Sequence, residues 1–232
     1  MEKIQAVIFD CDGVIINSAS DIASAVNMAL EHFNLNRIPE EKIVSFVGNG
    51  AKKLIERSLL FSLQKPDTET LEMQKINDVL AWYNDYYNEH AMQRTVLYPG
   101  YAKLLEHLLL HGIRMAVVSN KPERNTKRIL AYFDIDEYFD AVIGPEQLTH
   151  MKPDPEGLQK ALSAMEKGAG KPIAKENALM AGDSFVDIQA GHNFGCQTCG
   201  VTNGLGNTGK MLAEKPEITV SLAGDLISVL GI

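Results

Sequence analysis

Short apolar runs that end in polar or glycine residues recur along this chain, and they restrict its fold more than any other feature. Val7-Ile8-Phe9 leads into Asp10-Cys11-Asp12-Gly13. Met115 to Val118 leads into Ser119-Asn120, Ala141 to Ile143 into Gly144-Pro145, Ala178 to Ala181 into Gly182-Asp183, and Cys196 to Val201 into Thr202-Asn203-Gly204. Thr219-Val220 suggests a late addition to the series. A run without polar alternation marks a strand buried on both faces, as in a parallel sheet. Between the runs the spacing is helical, with Leu104, Leu105 and Leu108 in Tyr101 to Leu110, and similar patterns over Asn125 to Phe133 and Pro155 to Met165. Strands alternating with helices predict a doubly wound, Rossmann-like α/β fold with a parallel sheet. Ligands in such folds bind beyond the carboxyl ends of the strands. That is where the polar clusters of this chain lie.

The segment 17–95 breaks the rhythm. It shows no convincing strand, and Asp21 to Phe33, Ala51 to Phe61 and Thr70 to Tyr87 read as helices. The expected organisation is therefore a core of residues 1–16 and 96–232, with a helical insertion, 17–95, after the first strand. Pro99-Gly100 marks the return to the core. Trp82, Tyr83, Tyr86 and Tyr87 read as packing residues of the insertion.

Composition removes several function classes. The chain has 232 residues, 45% of them apolar, and a formal net charge of −8. An acidic chain of this kind does not suit nucleic acid, whose phosphates need clustered Lys and Arg. An anionic ligand would need a local cation or a metal. No apolar run approaches the roughly 18 residues of a membrane span. The first residues lack the layout of a signal peptide, and three cysteines make no disulfide framework. The expected protein is cytoplasmic, free of membrane, and a monomer or homodimer.

The chemistry-bearing residues fall in Asp10-Cys11-Asp12-Gly13, Ser119-Asn120, Lys152-Pro153-Asp154-Pro155, and Gly182-Asp183-Ser184 with Asp187. A single aspartate after a strand is usually a turn former or helix cap. Four such clusters, in this order and at these places, are a stronger signal. A carboxylate such as Asp10 can act as a nucleophile and divide a difficult displacement into two easier ones. Asp12, two residues on, points to roughly the same side of an extended backbone. Beside other carboxylates it is expected to have a raised pKa and to serve as general acid and base. Gly13 permits a tight turn.

These clusters resemble the motifs of the haloacid dehalogenase superfamily, and the likeness covers nearly the whole chain. Its phosphatases carry Asp-x-Asp-Gly after an apolar strand, then a Ser or Thr at a strand end, then a Lys often followed by Pro, then an acidic pair. Asp10-Cys11-Asp12-Gly13, Ser119, Lys152-Pro153 and Asp183 with Asp187 match these in turn. The resemblance implies a phosphatase that forms a phospho-aspartate on Asp10 and a C1-type cap for the helical insertion. It also implies a magnesium ion between Asp10 and Asp183. The backbone carbonyl of Asp12 would add a ligand and Asp187 would support the site. Ser119 would hydrogen-bond a phosphoryl oxygen, with Asn120 beside it. Lys152 would keep the nucleophile ionised and offset charge in the transition state. Many capped relatives carry an acidic residue where this chain has Asn17, so details of cap closure are expected to differ.

Gly48-Asn49-Gly50-Ala51, within the insertion, resembles a stretch of bacterial phosphoglycolate phosphatases, as does Ser119-Asn120-Lys121-Pro122. Glycines before a helix leave backbone N–H groups for an anion, and Lys53 and Arg57 share a helix face. Asn49, Lys53 and Arg57 are therefore candidates for receiving the carboxylate of a small phosphorylated metabolite such as 2-phosphoglycolate, or they form a solvated face. The alternatives are a sugar phosphomutase of the same superfamily and, from another class, a nucleotide- or redox-binding protein. The latter would use Gly204-Leu205-Gly206-Asn207-Thr208-Gly209 and Cys196-Gln197-Thr198-Cys199. The glycine stretch fits a dinucleotide fingerprint, but too little chain follows it for the rest of such a unit. It reads as a flexible loop. The cysteine pair falls within a predicted strand, lacks a second pair for zinc, and reads as buried thiols.

Overall fold

The computed structural model describes residues 4–232. In chain order the elements are β1 (Ala6–Phe9), β2 (Ile16–Asn17), α1 (Ala19–His32), α2 (Glu40–Val44), α3 (Gly50–Ser62), α4 (Met73–His90), β3 (Val96–Leu97), α5 (Tyr101–Leu110) and β4 (Arg114–Val118). These are followed by α6 (Glu123–Tyr132), β5 (Ala141–Ile143), α7 (Glu156–Ala169), β6 (Ala178–Gly182), α8 (Phe185–Phe194), β7 (Gln197–Val201), α9 (Thr208–Ala213), β8 (Ile218–Val220) and α10 (Leu226–Leu230). The chain divides into two compact units. One is the chain up to Asn17 together with Leu97–Ile232, and the other is Ser18–Val96.

The first unit is built on a six-stranded sheet of order β5-β4-β1-β6-β7-β8. All of its pairings are parallel. The central strand explains the apolar run that announces it: every residue of Ala6–Phe9 is buried, because both faces are covered. Ala6 and Ile8 point into a cluster with Ala116, Val118, Leu158, Leu162, Met165 and Met180, beneath α7. On the other face Phe9 meets the buried Tyr101 of α5 edge-on, with ring centroids 5.4 Å apart. Register sets the active end of the sheet. Phe9 pairs with Val117 on one side and Ala181 on the other, so Asp10, Ser119 and Asp183 leave their strands at nearly the same level.

The second unit is helical, formed by α1 to α4 around its own core of Ile22, Val26, Leu30, Leu54, Ile55, Leu59, Ile76 and Val79. Tyr83 and Tyr87 are buried in it, while Trp82 and Tyr86 pack against its side. Its two ends are joined by Asp21. This buried carboxylate accepts hydrogen bonds from the backbone N–H groups of Arg94 (3.0 and 3.1 Å) and Thr95 (2.9 Å), and from the Thr95 hydroxyl (2.8 Å).

Several readings change in detail. Asn17 belongs to the two-residue strand β2, which pairs with β3. Cys196 precedes β7 and does not lie within it, although Cys196 and Cys199 are both buried. Burial pushes each of these thiols up to about 12, so they are poor nucleophiles. Gly204 to Gly209 is not a free loop, since α9 begins at Thr208 with Asn207 as its cap. Among the described residues, no helix is long and apolar enough to cross a membrane.

Candidate active site

Asp10 follows β1 and is buried, its own N–H bonded to the Ala181 carbonyl at 2.9 Å. Lys152, between β5 and α7, is buried as well. Its ammonium lies 2.9 Å from Asp10 Oδ1 and 2.6 Å from Asp187 Oδ1, and it donates to the Val118 carbonyl at 2.7 Å. The buried ammonium is thus compensated by two ion pairs and one backbone hydrogen bond. The two carboxylates hold Lys152 protonated, with its pKa raised despite burial.

Asp183 leaves β6 and Asp187 lies in the first turn of α8. Asp187 is fully buried and has both oxygens engaged. Oδ1 faces Lys152, and Oδ2 accepts from the Ser184 N–H (3.1 Å) and hydroxyl (2.5 Å), a capping box at the start of α8. Gly182 is required here, because a Cβ on it would lie 2.1 Å from Asp187 Cβ. Asp10, Asp183 and Asp187 each offer an oxygen, and these oxygens lie within 4.8 Å of one another.

Asp12 has a partner that sequence reasoning did not assign. Lys121 Nζ is 3.0 and 3.1 Å from its two carboxylate oxygens. This places a cation beside Asp12 in addition to the neighbouring carboxylates. The available signal was position, since Lys121 follows Ser119-Asn120 at the carboxyl end of β4. Ser119 and Asn120 are buried there too. The Ser119 hydroxyl accepts from the Lys121 N–H (3.3 Å), and the Asn120 amide donates to the Lys152 carbonyl (3.3 Å).

Asn49, Lys53 and Arg57 lie in the helical unit. Asn49 precedes α3 without a side-chain cap bond, and Arg57 donates to Asn49 Oδ1 (3.0 Å) and to the Phe46 carbonyl (3.3 Å). Lys53 pairs instead with Glu56 at 2.7 Å, with its side chain 58% exposed. The half-buried Arg57 and the solvated Lys53 are therefore not an equivalent pair.

The electrostatics of the first unit fit a divalent cation. The carboxylates of Asp10, Asp12, Asp183 and Asp187 face the ammonium groups of Lys121 and Lys152, so negative charge is left uncompensated in a buried site. The strain shows in the acids themselves. Burial, opposed by Lys152 and reinforced by Asp187, pushes the Asp10 pKa up to about 6. Burial, with Asp187 and Asp10 adding to it, pushes Asp183 well above the usual carboxylate range. Hard, anionic oxygens with one face unbalanced match magnesium.

Comparison with known proteins agrees with this arrangement. The sequence profile of the family described as haloacid dehalogenase-like hydrolase matches residues 7–201. A phosphoglycolate phosphatase of Haemophilus influenzae is 36% identical over 222 residues, covering 96% of each chain. That of Escherichia coli (strain K12) is 33% identical over 243 residues, covering 100% of this chain and 94% of its own. A crystal structure named as a "predicted phosphoglycolate phosphatase" from Haemophilus somnus 129pt superposes with a TM-score of 0.87 at 29% identity, over 99% of both chains. With a profile match along most of its length and relatives this similar from end to end, the chain belongs to the haloacid dehalogenase-like hydrolase family.

Proposed function

We propose that this protein hydrolyses 2-phosphoglycolate, using magnesium, through a phosphate carried transiently on Asp10. The broader class, a phosphoric monoester hydrolase, accords with its family and with relatives named phosphoglycolate phosphatase. The observation that carries the mechanism is a buried Asp10 in contact with Lys152, with negative charge left over beside it.

The Asp10 carboxylate attacks phosphorus. The P–O bond to the leaving group breaks, and the Asp12 carboxyl gives its proton to the departing oxygen. In the second half Asp12, now ionised, takes a proton from water as the water oxygen attacks phosphorus. The P–O bond to Asp10 breaks and inorganic phosphate is released. Lys152 favours the ionised form of Asp10 and offsets charge on the transferring group. Ser119 and Asn120 donate hydrogen bonds to phosphoryl oxygens. Asp10, Asp183 and the backbone carbonyl of Asp12 would hold magnesium, which would supply charge neutralisation to the transferring phosphoryl group. Asp187 orients Lys152 from behind. Arg57, with Asn49 and more weakly Lys53, receives the carboxylate of the substrate.

The test is phosphate release from a panel of phosphorylated metabolites, with and without magnesium, by the natural protein and Asp10→Asn. Release from 2-phosphoglycolate no faster than from unrelated phosphoesters would remove the substrate assignment. Steady turnover by Asp10→Asn would remove the mechanism.

A further inference from the structure

We propose that the Gly204–Gly206 loop is a clamp that positions Asp183 for magnesium. This inference rests on the reading of Asp183 as a metal ligand and adds the element that makes it one. Asp183 Oδ2 accepts two backbone hydrogen bonds, from Leu205 N–H at 2.6 Å and Gly206 N–H at 2.8 Å. Charge-assisted bonds of this length fix the carboxylate plane. With Oδ2 held by the chain itself, the carboxylate keeps one orientation toward Asp10 and Asp187, the other members of the acidic cluster.

The glycines of the loop explain why these amides reach so close. A Cβ on Gly204 would lie 2.3 Å from Asp183 Cβ and 2.4 Å from Oδ2. One on Gly206 would lie 2.4 Å from the Asp183 carbonyl oxygen. A Cβ on Gly13 would fall 1.8 Å from Oδ2 and 2.9 Å from the Leu205 nitrogen, and Gly13 also has a φ of 85°. Backbone therefore encloses the carboxylate on several sides, an approach open only to residues without side chains. The loop is anchored at both ends. Asn203 N–H bonds to the Ser221 carbonyl (3.1 Å), the Thr208 hydroxyl to the Thr202 carbonyl (3.0 Å), and Asn207 caps α9 through Lys210 N–H (2.9 Å).

This also accounts for the likeness to a dinucleotide fingerprint. Successive amides in a glycine turn bind an anion, and here the anion is the protein's own aspartate. Gly209, the last glycine of the pattern, takes no part, because a Cβ there would meet nothing closer than Asn207 Oδ1 at 3.4 Å.

The experiment measures magnesium binding directly by titration calorimetry, without substrate. Groups that orient a metal ligand typically contribute about 10- to 100-fold in affinity. Gly204→Ala and Gly206→Ala should weaken magnesium binding by that factor and melt at a lower temperature in chelator while keeping the natural circular dichroism spectrum, whereas Gly209→Ala binds and melts normally. Natural affinity in both folded loop variants would overturn the clamp. Absence of magnesium binding by the natural protein would overturn the metal reading and the clamp with it. Should the alanine variants fail to fold, the natural protein decides. In a nitrogen–proton correlation spectrum, the Leu205 and Gly206 amides should move saturably with magnesium while Gly209 does not. Immobile Leu205 and Gly206 signals would overturn the clamp.

Discussion

Lys121 holds both carboxylate oxygens of Asp12, at 3.0 and 3.1 Å, with its own side chain 5% exposed. The acid and base of the proposed reaction is thus fixed in position by a buried cation. Lys121→Met should lower kcat by about 10- to 100-fold on an alkyl phosphate, whose leaving oxygen needs a proton from a well-placed acid. The loss should be several-fold smaller on p-nitrophenyl phosphate, whose leaving group departs unaided, and Lys121→Arg should recover part of it. Steady-state kinetics on both substrates checks this. Equal losses on the two would mean that Lys121 supports the fold and not the placement of Asp12.

Asp10→Asn should abolish turnover without unfolding the protein, because it removes the nucleophile and keeps the shape. Its effect on stability has a definite sign. The Asp10 pKa rises from 3.8 to about 6 on folding, so between these values the native state holds the extra proton. Stability contributed by this group is therefore lost as pH rises from about 4 to about 6. Asn cannot ionise and escapes that loss. In chelator at pH 7.5 the variant should melt at or above the natural protein, and the difference should shrink at pH 4.5. A variant that melts well below the natural protein at pH 7.5 would show that Asp10 contributes net stability when ionised.

Magnesium must displace protons from Asp10 and Asp183, both raised by burial. Binding to such ligands strengthens as pH rises. The rise in melting temperature on adding magnesium should be several degrees larger at pH 7.5 than at pH 5, and chelator should remove activity. Thermal melts at the two pH values provide the measurement. An equal shift at both would place the ion elsewhere.

Arg57→Ala should reduce kcat/KM for 2-phosphoglycolate by roughly 10- to 100-fold, the loss expected for a charge-assisted hydrogen bond. The reduction should be much smaller for an aryl phosphate without a carboxylate. Lys53→Ala should do less, because that side chain is solvated and already paired with Glu56. If Arg57→Ala impairs both substrates alike, its role is the bracing of Asn49 and the Phe46 carbonyl.

The parallel sheet was legible because two-sided burial leaves no room for polar residues, and Ala6–Phe9 or Ala178–Gly182 cannot be mistaken for an amphipathic element. Tyr101–Leu110 was legible for the opposite reason, as its buried Leu104, Leu105 and Leu108 repeat at helical spacing. The helix α8 gave no such signal, since it is buried on several sides and contains Gly191, where a Cβ would meet Thr198 Cγ2 at 2.3 Å. The side chains Asp10, Lys152, Asp183 and Asp187 stood out because their chemistry resides in the residue type. What sequence reasoning could not see was work done by the main chain. The amides of Leu205 and Gly206 and the carbonyl of Val118 shape the site, but any residue has those groups, and only folded geometry selects them. Lys121 was hidden differently, because its partner Asp12 lies on another strand end far away in sequence.

Asp21, which ties Arg94 and Thr95 to the first turn of α1, bears on how such a chain can change over generations. The helical unit closes upon itself through bonds within Ser18–Val96. The sheet is therefore not needed to keep its ends together. Lengthening a closed loop adds little entropic cost, so helices between Asp21 and Thr95 can be added, removed or exchanged while the strands beyond keep their register. An insertion fastened at its own neck behaves as an interchangeable part, and a hydrolase carrying one can acquire new substrates without redesigning its catalytic sheet.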